Sequence, residues 1–130
     1  MSSAAIEQPA PTVGQEKVLP AAIRYVEYMG SRELVADLED RAIMGYARYG
    51  TYLMTHNGRD AAMDCYQELL DALMYTQQAM MELAPNDVHD LVRVRMYILT
   101  SLEWLKEYLE DRPNANADTN RQIEEALNDD

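Results

Sequence analysis

Two long runs of helix-forming residues, separated by one proline, constrain this chain more than any other feature. The first run spans about Arg59 to Leu83 and is dominated by alanine, leucine, methionine, glutamate and glutamine. All of these cost little free energy in a helix. Pro85 closes the run, because proline lacks a backbone N–H and its ring clashes with the preceding turn. Asn86 or Asp87 is then placed to cap a second run, which extends to about Glu110 and stops before Pro113. Within it Val88, Leu91, Val92, Leu99, Leu102, Leu105 and Leu109 define an apolar core face at helical spacing. The sequence shows no strand-rich block and no internal repeat. The expected fold class is all-α, an antiparallel helical bundle with short terminal helices.

Shorter elements precede these runs. Residues 1–15 are rich in alanine, serine and proline, and Pro9 and Pro11 exclude a regular helix there. The segment reads as a flexible tail or as an arm packed on the surface. Leu19, Ala22, Ile23, Val26 and Met29 predict a short amphipathic helix, with Pro20 tolerated in its first turn and Gly30 ending it. Ser31 is the expected cap of the next helix, whose apolar stripe is Leu34, Val35, Leu38, Ala42 and Ile43 and which runs to about Tyr49. Gly45 weakens that helix by about 1 kcal/mol, which predicts a close helix contact or a bend. Gly50 to Arg59 is a loop, with Asn57-Gly58 as its turn signal. Beyond Pro113 comes a polar linker and a short helix expected over Thr119 to Leu127. The organisation is therefore an arm at 1–15, a single helical domain at 16–112 and an acidic tail at 113–130.

Charge narrows the function classes. Aspartate and glutamate number 23 against 11 lysines and arginines, a formal charge of −12. Such a chain repels a bare phosphate backbone, so general nucleic-acid binding is not expected. Phosphorylated small molecules remain compatible if divalent cations lie between carboxylate and phosphate. The single cysteine, Cys65, excludes an internal disulfide and a cysteine-rich zinc site, and two histidines supply zinc chemistry poorly. Cys65 lies within an apolar flank of its helix, which predicts a buried, inert thiol. No apolar run reaches the ~18 residues of a membrane span, and no secretory signal is visible, so no membrane partner is expected and the cytoplasm is the expected compartment.

The acids carry the most specific pattern. Asp60, Asp64, Glu68, Asp71 and Tyr75 follow at spacings of four, four, three and four and share one helix face. Apolar flanks bound that face: Ala61, Ala62, Cys65, Leu69, Ala72, Leu73, Ala79 and Met80 on one side, Met63, Leu70, Met74 and Met81 on the other. Carboxylates of Glu68 and Asp71 held in such a gap need a cation or hydrogen-bond donors. Magnesium suits them, since it takes carboxylate oxygens and keeps several waters; a solvated stripe is the bland alternative. Asp37 and Asp40, three apart on the preceding helix, would complete an oxygen-ligand set if the two helices pack antiparallel. They would equally serve to oppose the helix dipole.

Cations and rings complete the candidates. Arg95 interrupts the apolar stripe of the last long helix and can bond a carboxylate on a neighbouring helix or a phosphate. Arg48 and Arg59 flank the loop and can reach a phosphate across it, whereas His56 between them is too isolated for a metal triad. Tyr49 and Tyr75, with Tyr46 and Tyr52, suit stacking on a base or filling a subunit interface. No serine triad, cysteine–histidine pair, P-loop or Rossmann signature is present.

The stretch from Asp37 to Gln78, about a third of the chain, resembles the small MazG-like nucleoside triphosphate pyrophosphohydrolases, in particular those of bacteriophages. The run from Asp64 to Tyr75 carries the family's E-x-x-D pattern as Glu68 and Asp71. Asp37 and Asp40 are the nearest match to an upstream E-x-x-E pair, each one methylene shorter. Arg48 to Thr51 and Asn57 to Asp60 look like the loop and helix start of the phage members. The resemblance implies a MazG-like bundle, magnesium (or manganese) on Asp37, Asp40, Glu68 and Asp71, and cleavage between the α and β phosphates of a nucleotide. Arg48, Arg59, Arg95, Tyr49 and Tyr75 are the candidate substrate contacts. It also implies a homodimer or homotetramer, in the host cytoplasm if phage-encoded. Two other readings stay open: an inactive nucleotide-binding protein that acts as a sponge for a phosphorylated signal, and a helical protein-interaction module.

Overall fold

A computed structural model describes residues 2–113, and its described residues are all-helical apart from loops. Four α-helices follow in order: α1 (Leu19–Tyr28), α2 (Val35–Tyr49), α3 (Ala61–Glu82) and α4 (His89–Asp111). Single 3-10 turns cover Ser3–Ala5, Arg32–Leu34 and Pro85–Asp87. The helix expected over Thr119 to Leu127 lies outside the described residues. The chain divides into two compact units, the first ending at Asp60 and the second beginning at Ala61.

In the first unit α1 packs on α2. Pro20 stands in the first turn of α1, where its missing N–H costs nothing. Leu19, Ala22, Ile23 and Val26 are the half-buried positions of α1, whereas Met29 is exposed. Gly30, at φ +79°, ends the helix in the left-handed region. Its N–H bonds the Glu27 carbonyl at 3.1 Å, and the Ser31 N–H reaches back to the Val26 carbonyl at 2.7 Å. This paired closure satisfies two of the terminal carbonyls and is the Schellman arrangement. It also corrects the role expected of Ser31, whose hydroxyl makes no cap bond to α2. On α2 the half-buried stripe is Val35, Leu38, Ala42 and Gly45; Leu34 and Ile43, expected on it, are exposed. Nothing lies within 4 Å of a Cβ built on Gly45, so no close contact accounts for that glycine.

The N-terminal segment runs against the loop that follows α2. The amides of Thr12, Gln15 and Val18 donate to the carbonyls of Asn57, Thr55 and Leu53 at 2.8, 2.9 and 3.1 Å. Thr55 N–H answers to the Glu16 carbonyl at 2.8 Å, and Lys17 pairs with Met54 as an isolated antiparallel bridge. The Gln8 side-chain amide bonds both backbone groups of Asp60, donating to its carbonyl and accepting from its N–H. Two extended strands of chain thus satisfy each other's backbone groups without forming a sheet.

In the second unit α3 and α4 pack on each other through seams of three-and-four spacing. Ala62, Tyr66, Leu69, Leu73, Thr76 and Met80 form the seam on α3. Leu91, Arg95, Ile98, Leu102, Leu105 and Leu109 form it on α4, and Val88, the residue before the helix, extends it by one turn. That spacing keeps one stripe facing a partner helix along its whole length. Leu102, 6% exposed, is the buried hydrophobic residue of this seam. Thr76, at 8%, is buried with it, and its hydroxyl is satisfied by the Ala72 carbonyl at 2.7 Å. No side chain caps α4; Val88 precedes it, and Asn86 and Asp87, expected as caps, lie in or beside the preceding 3-10 turn.

Candidate functional site

The candidate metal residues stand on regular helices. Glu68 and Asp71 lie one turn apart near the middle of α3, and both are exposed. The gap between apolar flanks expected from the sequence does not enclose them. The half-buried side of α3 is the one that meets α4, and it takes in Ala62, Leu69, Leu73 and Met80 of the flank that carries Cys65. Cys65 itself is exposed, which corrects the buried thiol expected there. Water therefore reaches both carboxylates, and no desolvation within the chain demands a cation beside them. Asp64, on the same stripe, is half-buried.

Asp37 and Asp40 lie in the first half of α2, both exposed, in the other unit. Asp37 falls in the first turn, where a carboxylate opposes the helix dipole. Among the described residues no group of three or more His, Cys, Asp or Glu side chains is placed to hold a metal ion.

The candidate substrate contacts have partners of their own. Arg59 is tied to the N-terminal segment: its guanidinium donates to the Pro9 carbonyl at 2.7 Å, and its backbone N–H bonds the Asn57 side-chain oxygen at 3.1 Å. The buried Asn57 thus organises the turn, with His56 (φ +54°) and Gly58 (φ +82°) both in the left-handed region. Arg48 lies over the ring of its neighbour Tyr49 at 5.2 Å, near the end of α2, and both remain exposed. Arg95 donates to the side-chain oxygen of Gln77 on α3 at 2.8 Å. Its partner is a neutral amide where a neighbouring acid was expected. Tyr75 is exposed on α3, on the side that carries Glu68 and Asp71.

Two sets of contacts were not expected from the sequence. Tyr46 and Tyr52, candidates for stacking on a base or for an interface, instead meet each other in a tilted arrangement at 4.8 Å, and the Lys17 ammonium lies 5.1 Å from the Tyr52 ring centre. Gln8 and Thr55 tie the N-terminal segment to the loop. No periodicity links residues 8–18 to 53–60, so no signal in either segment alone announces the pairing. No helix among the described residues is long and apolar enough to cross a membrane.

No family model matches the chain, and no similar curated protein or solved structure was found.

Proposed function

We propose that the protein is a magnesium-dependent nucleoside triphosphate pyrophosphohydrolase with a MazG-like antiparallel bundle. The observation that carries this reading is the pairing of Glu68 and Asp71, one turn apart and open to solvent on a 22-residue helix, in the E-x-x-D register of the family the sequence resembles. An exposed carboxylate pair on a regular helix is a geometry that a water-rich magnesium ion accepts. Antiparallel packing of α3 and α4 is supported by the bond between Gln77 and Arg95, which stand nine residues before and after Asn86.

In this reading Glu68 and Asp71 hold the ion, and Asp37 and Asp40 are the second carboxylate pair. Bound magnesium would neutralise phosphate charge against an acidic protein and lower the pKa of attacking water. Arg48, exposed beside Tyr49, is the cation best placed to meet a phosphate, because Arg59 and Arg95 already hold protein oxygens. Tyr75 offers a ring for a base on the acidic side of α3.

The test titrates magnesium and manganese into wild type and Glu68→Gln by calorimetry and assays both for pyrophosphate release from a panel of nucleoside triphosphates. Metal binding and pyrophosphate release by the wild type, both lost in Glu68→Gln with the helices intact by circular dichroism, are expected. Equal metal affinity in the two proteins would remove Glu68 from the reading. A second reading, binding without cleavage, is favoured by the shorter aspartates at 37 and 40. Tight nucleotide binding with no product from any nucleotide would select it.

A further inference from the structure

The α4 helix has more than one apolar side. Its inward seam, through Leu102 and Leu105, faces α3. About 100° round the helix runs a second stripe, Val94, Tyr97, Ser101, Trp104 and Tyr108, again at spacings of three and four. Val94 is 43% exposed, Tyr97 69%, Trp104 72% and Tyr108 55%. Alternation of three and four is the pattern a helix needs to keep one stripe against another helix along its length. A compact ligand has no use for it over about 21 Å, the length from Val94 to Tyr108.

We propose that a second copy of this chain docks on this stripe through its own α4, antiparallel, about a two-fold axis at Ser101. The stripe is self-complementary in that register. Val94 and Tyr108 stand seven residues either side of Ser101, so the small side chain of each copy meets the large one of the other. Tyr97 comes beside Trp104 of the second copy, and the small Ser101 lets the two helices approach at the axis. A parallel pairing would instead set Trp104 and Tyr108 against their own copies at one end and Val94 at the other, so the gap would taper.

Charge on the flank agrees. Arg93 and Glu107, both exposed, stand seven residues either side of Thr100. With the axis at Ser101, antiparallel pairing brings Arg93 of each copy within two residues, about 3 Å along the helix, of level with Glu107 of the other, an offset these long side chains span, giving two oppositely charged pairs per dimer. Asp90 and Asp111 end the apolar run at its two extremities. The area is also of the right order. At ~150–250 Å² per buried aromatic, the exposed fractions of three rings on each copy supply roughly 600–1,000 Å². Val94 and the aliphatic stems of Arg93 and Glu107 bring this towards the ~1,200 Å² at which specific interfaces begin.

The test uses the full chain in sedimentation equilibrium at about 1 to 100 μM, where a dimer of this size of interface is populated. Wild type is expected at twice the chain mass or an even multiple of it. Trp104→Glu should weaken the association by about 100-fold or more, as loss of a central aromatic anchor does. Arg93→Glu should weaken it less, and adding Glu107→Arg should restore it. Arg93 and Glu107 are exposed, so this pair decides the matter even where Trp104→Glu fails to fold. In a Cys65→Ser background, Ser101→Cys should oxidise to a covalent dimer. Asp111→Cys should not, because the two copies of residue 111 lie about 30 Å apart along the axis. A monomer at every concentration overturns the proposal, as does association untouched by Trp104→Glu and Arg93→Glu. Crosslinking of Asp111→Cys as fast as Ser101→Cys overturns the antiparallel register.

Discussion

Gly14 sits where the N-terminal segment crosses the loop after α2, and a methyl group has no room there. A Cβ built on it would overlap the Thr55 carbonyl oxygen and come within 2.6 Å of the Met54 Cβ. One obstacle is backbone and the other is the root of a side chain, so neither can swing aside. Relief requires the two segments to part by roughly 1 Å, enough to forfeit about a quarter to a half of the short-range contact energy between them. The bonds that stretch are Gln15 N–H to the Thr55 carbonyl at 2.9 Å and Thr55 N–H to the Glu16 carbonyl at 2.8 Å. At about 1 kcal/mol for each bond, Gly14→Ala should cost roughly 2–3 kcal/mol, within the ~1–3 kcal/mol typical of overpacking. Gly45→Ala is the control of opposite sign. Open space surrounds that position in the interior of α2, and alanine should stabilise it by about 0.5–1 kcal/mol. Urea unfolding followed by far-ultraviolet circular dichroism measures both. Amide exchange locates the first, with Gln15 and Thr55 exchanging roughly 30- to 100-fold faster in Gly14→Ala. Gly14→Ala as stable as wild type, with both amides still protected, would refute the steric reasoning. A destabilising Gly45→Ala would mean that something covers that glycine.

Other expectations follow from single residues. Leu102→Ala removes the buried hydrophobic side chain of the α3–α4 seam and should cost about 2–5 kcal/mol, read as a lower denaturation midpoint. Cys65, exposed on α3, should react with a thiol reagent in the native protein at nearly the rate seen in denaturant; a reaction that waits for unfolding would show the thiol to be covered. Arg59→Ala removes the bond to the Pro9 carbonyl and should loosen the N-terminal segment, seen as faster proteolysis before Thr12 with α3 and α4 unchanged.

The lengths of the helices were largely legible. α3 was expected over Arg59 to Leu83 and occupies Ala61–Glu82; α4 was expected to about Glu110 and ends at Asp111. Pro85, Gly30 and Gly50 mark breaks by backbone chemistry that holds wherever they stand. Capping was less legible. Serine at position 31 has the right side chain for an N-cap, but the backbone there closes α1 instead. The candidate site shows the same limit. Acidic spacing on α3 put Glu68 and Asp71 on one face, yet their surroundings depended on which apolar flank meets α4. Both flanks carry residues of similar hydropathy, and composition does not rank them.

Helix propensity, breaker positions and the spacing of charge act over a few residues, so the sequence alone determined that this chain is helical, where its helices break and which acids share a face. Contacts between distant segments rest on shape and on backbone groups that every residue carries. Only the tertiary structure decided that residues 8–18 run against 53–60, because those bonds are made by main chain and by Gln8, Thr55 and Arg59, which have no periodic signature. Of the two three-and-four seams of α4, the one through Leu91, Leu102, Leu105 and Leu109 is the core face expected from the sequence, and it is the one that turns to α3, whereas Leu99 of that expected face is 49% exposed. Leucine, isoleucine and valine fill one and tyrosine and tryptophan the other, and either could bury area. Aliphatic side chains interlock in the narrow space between close helices, so the seam through Leu102 lies inside, and the broad rings of Tyr97, Trp104 and Tyr108 stay outside.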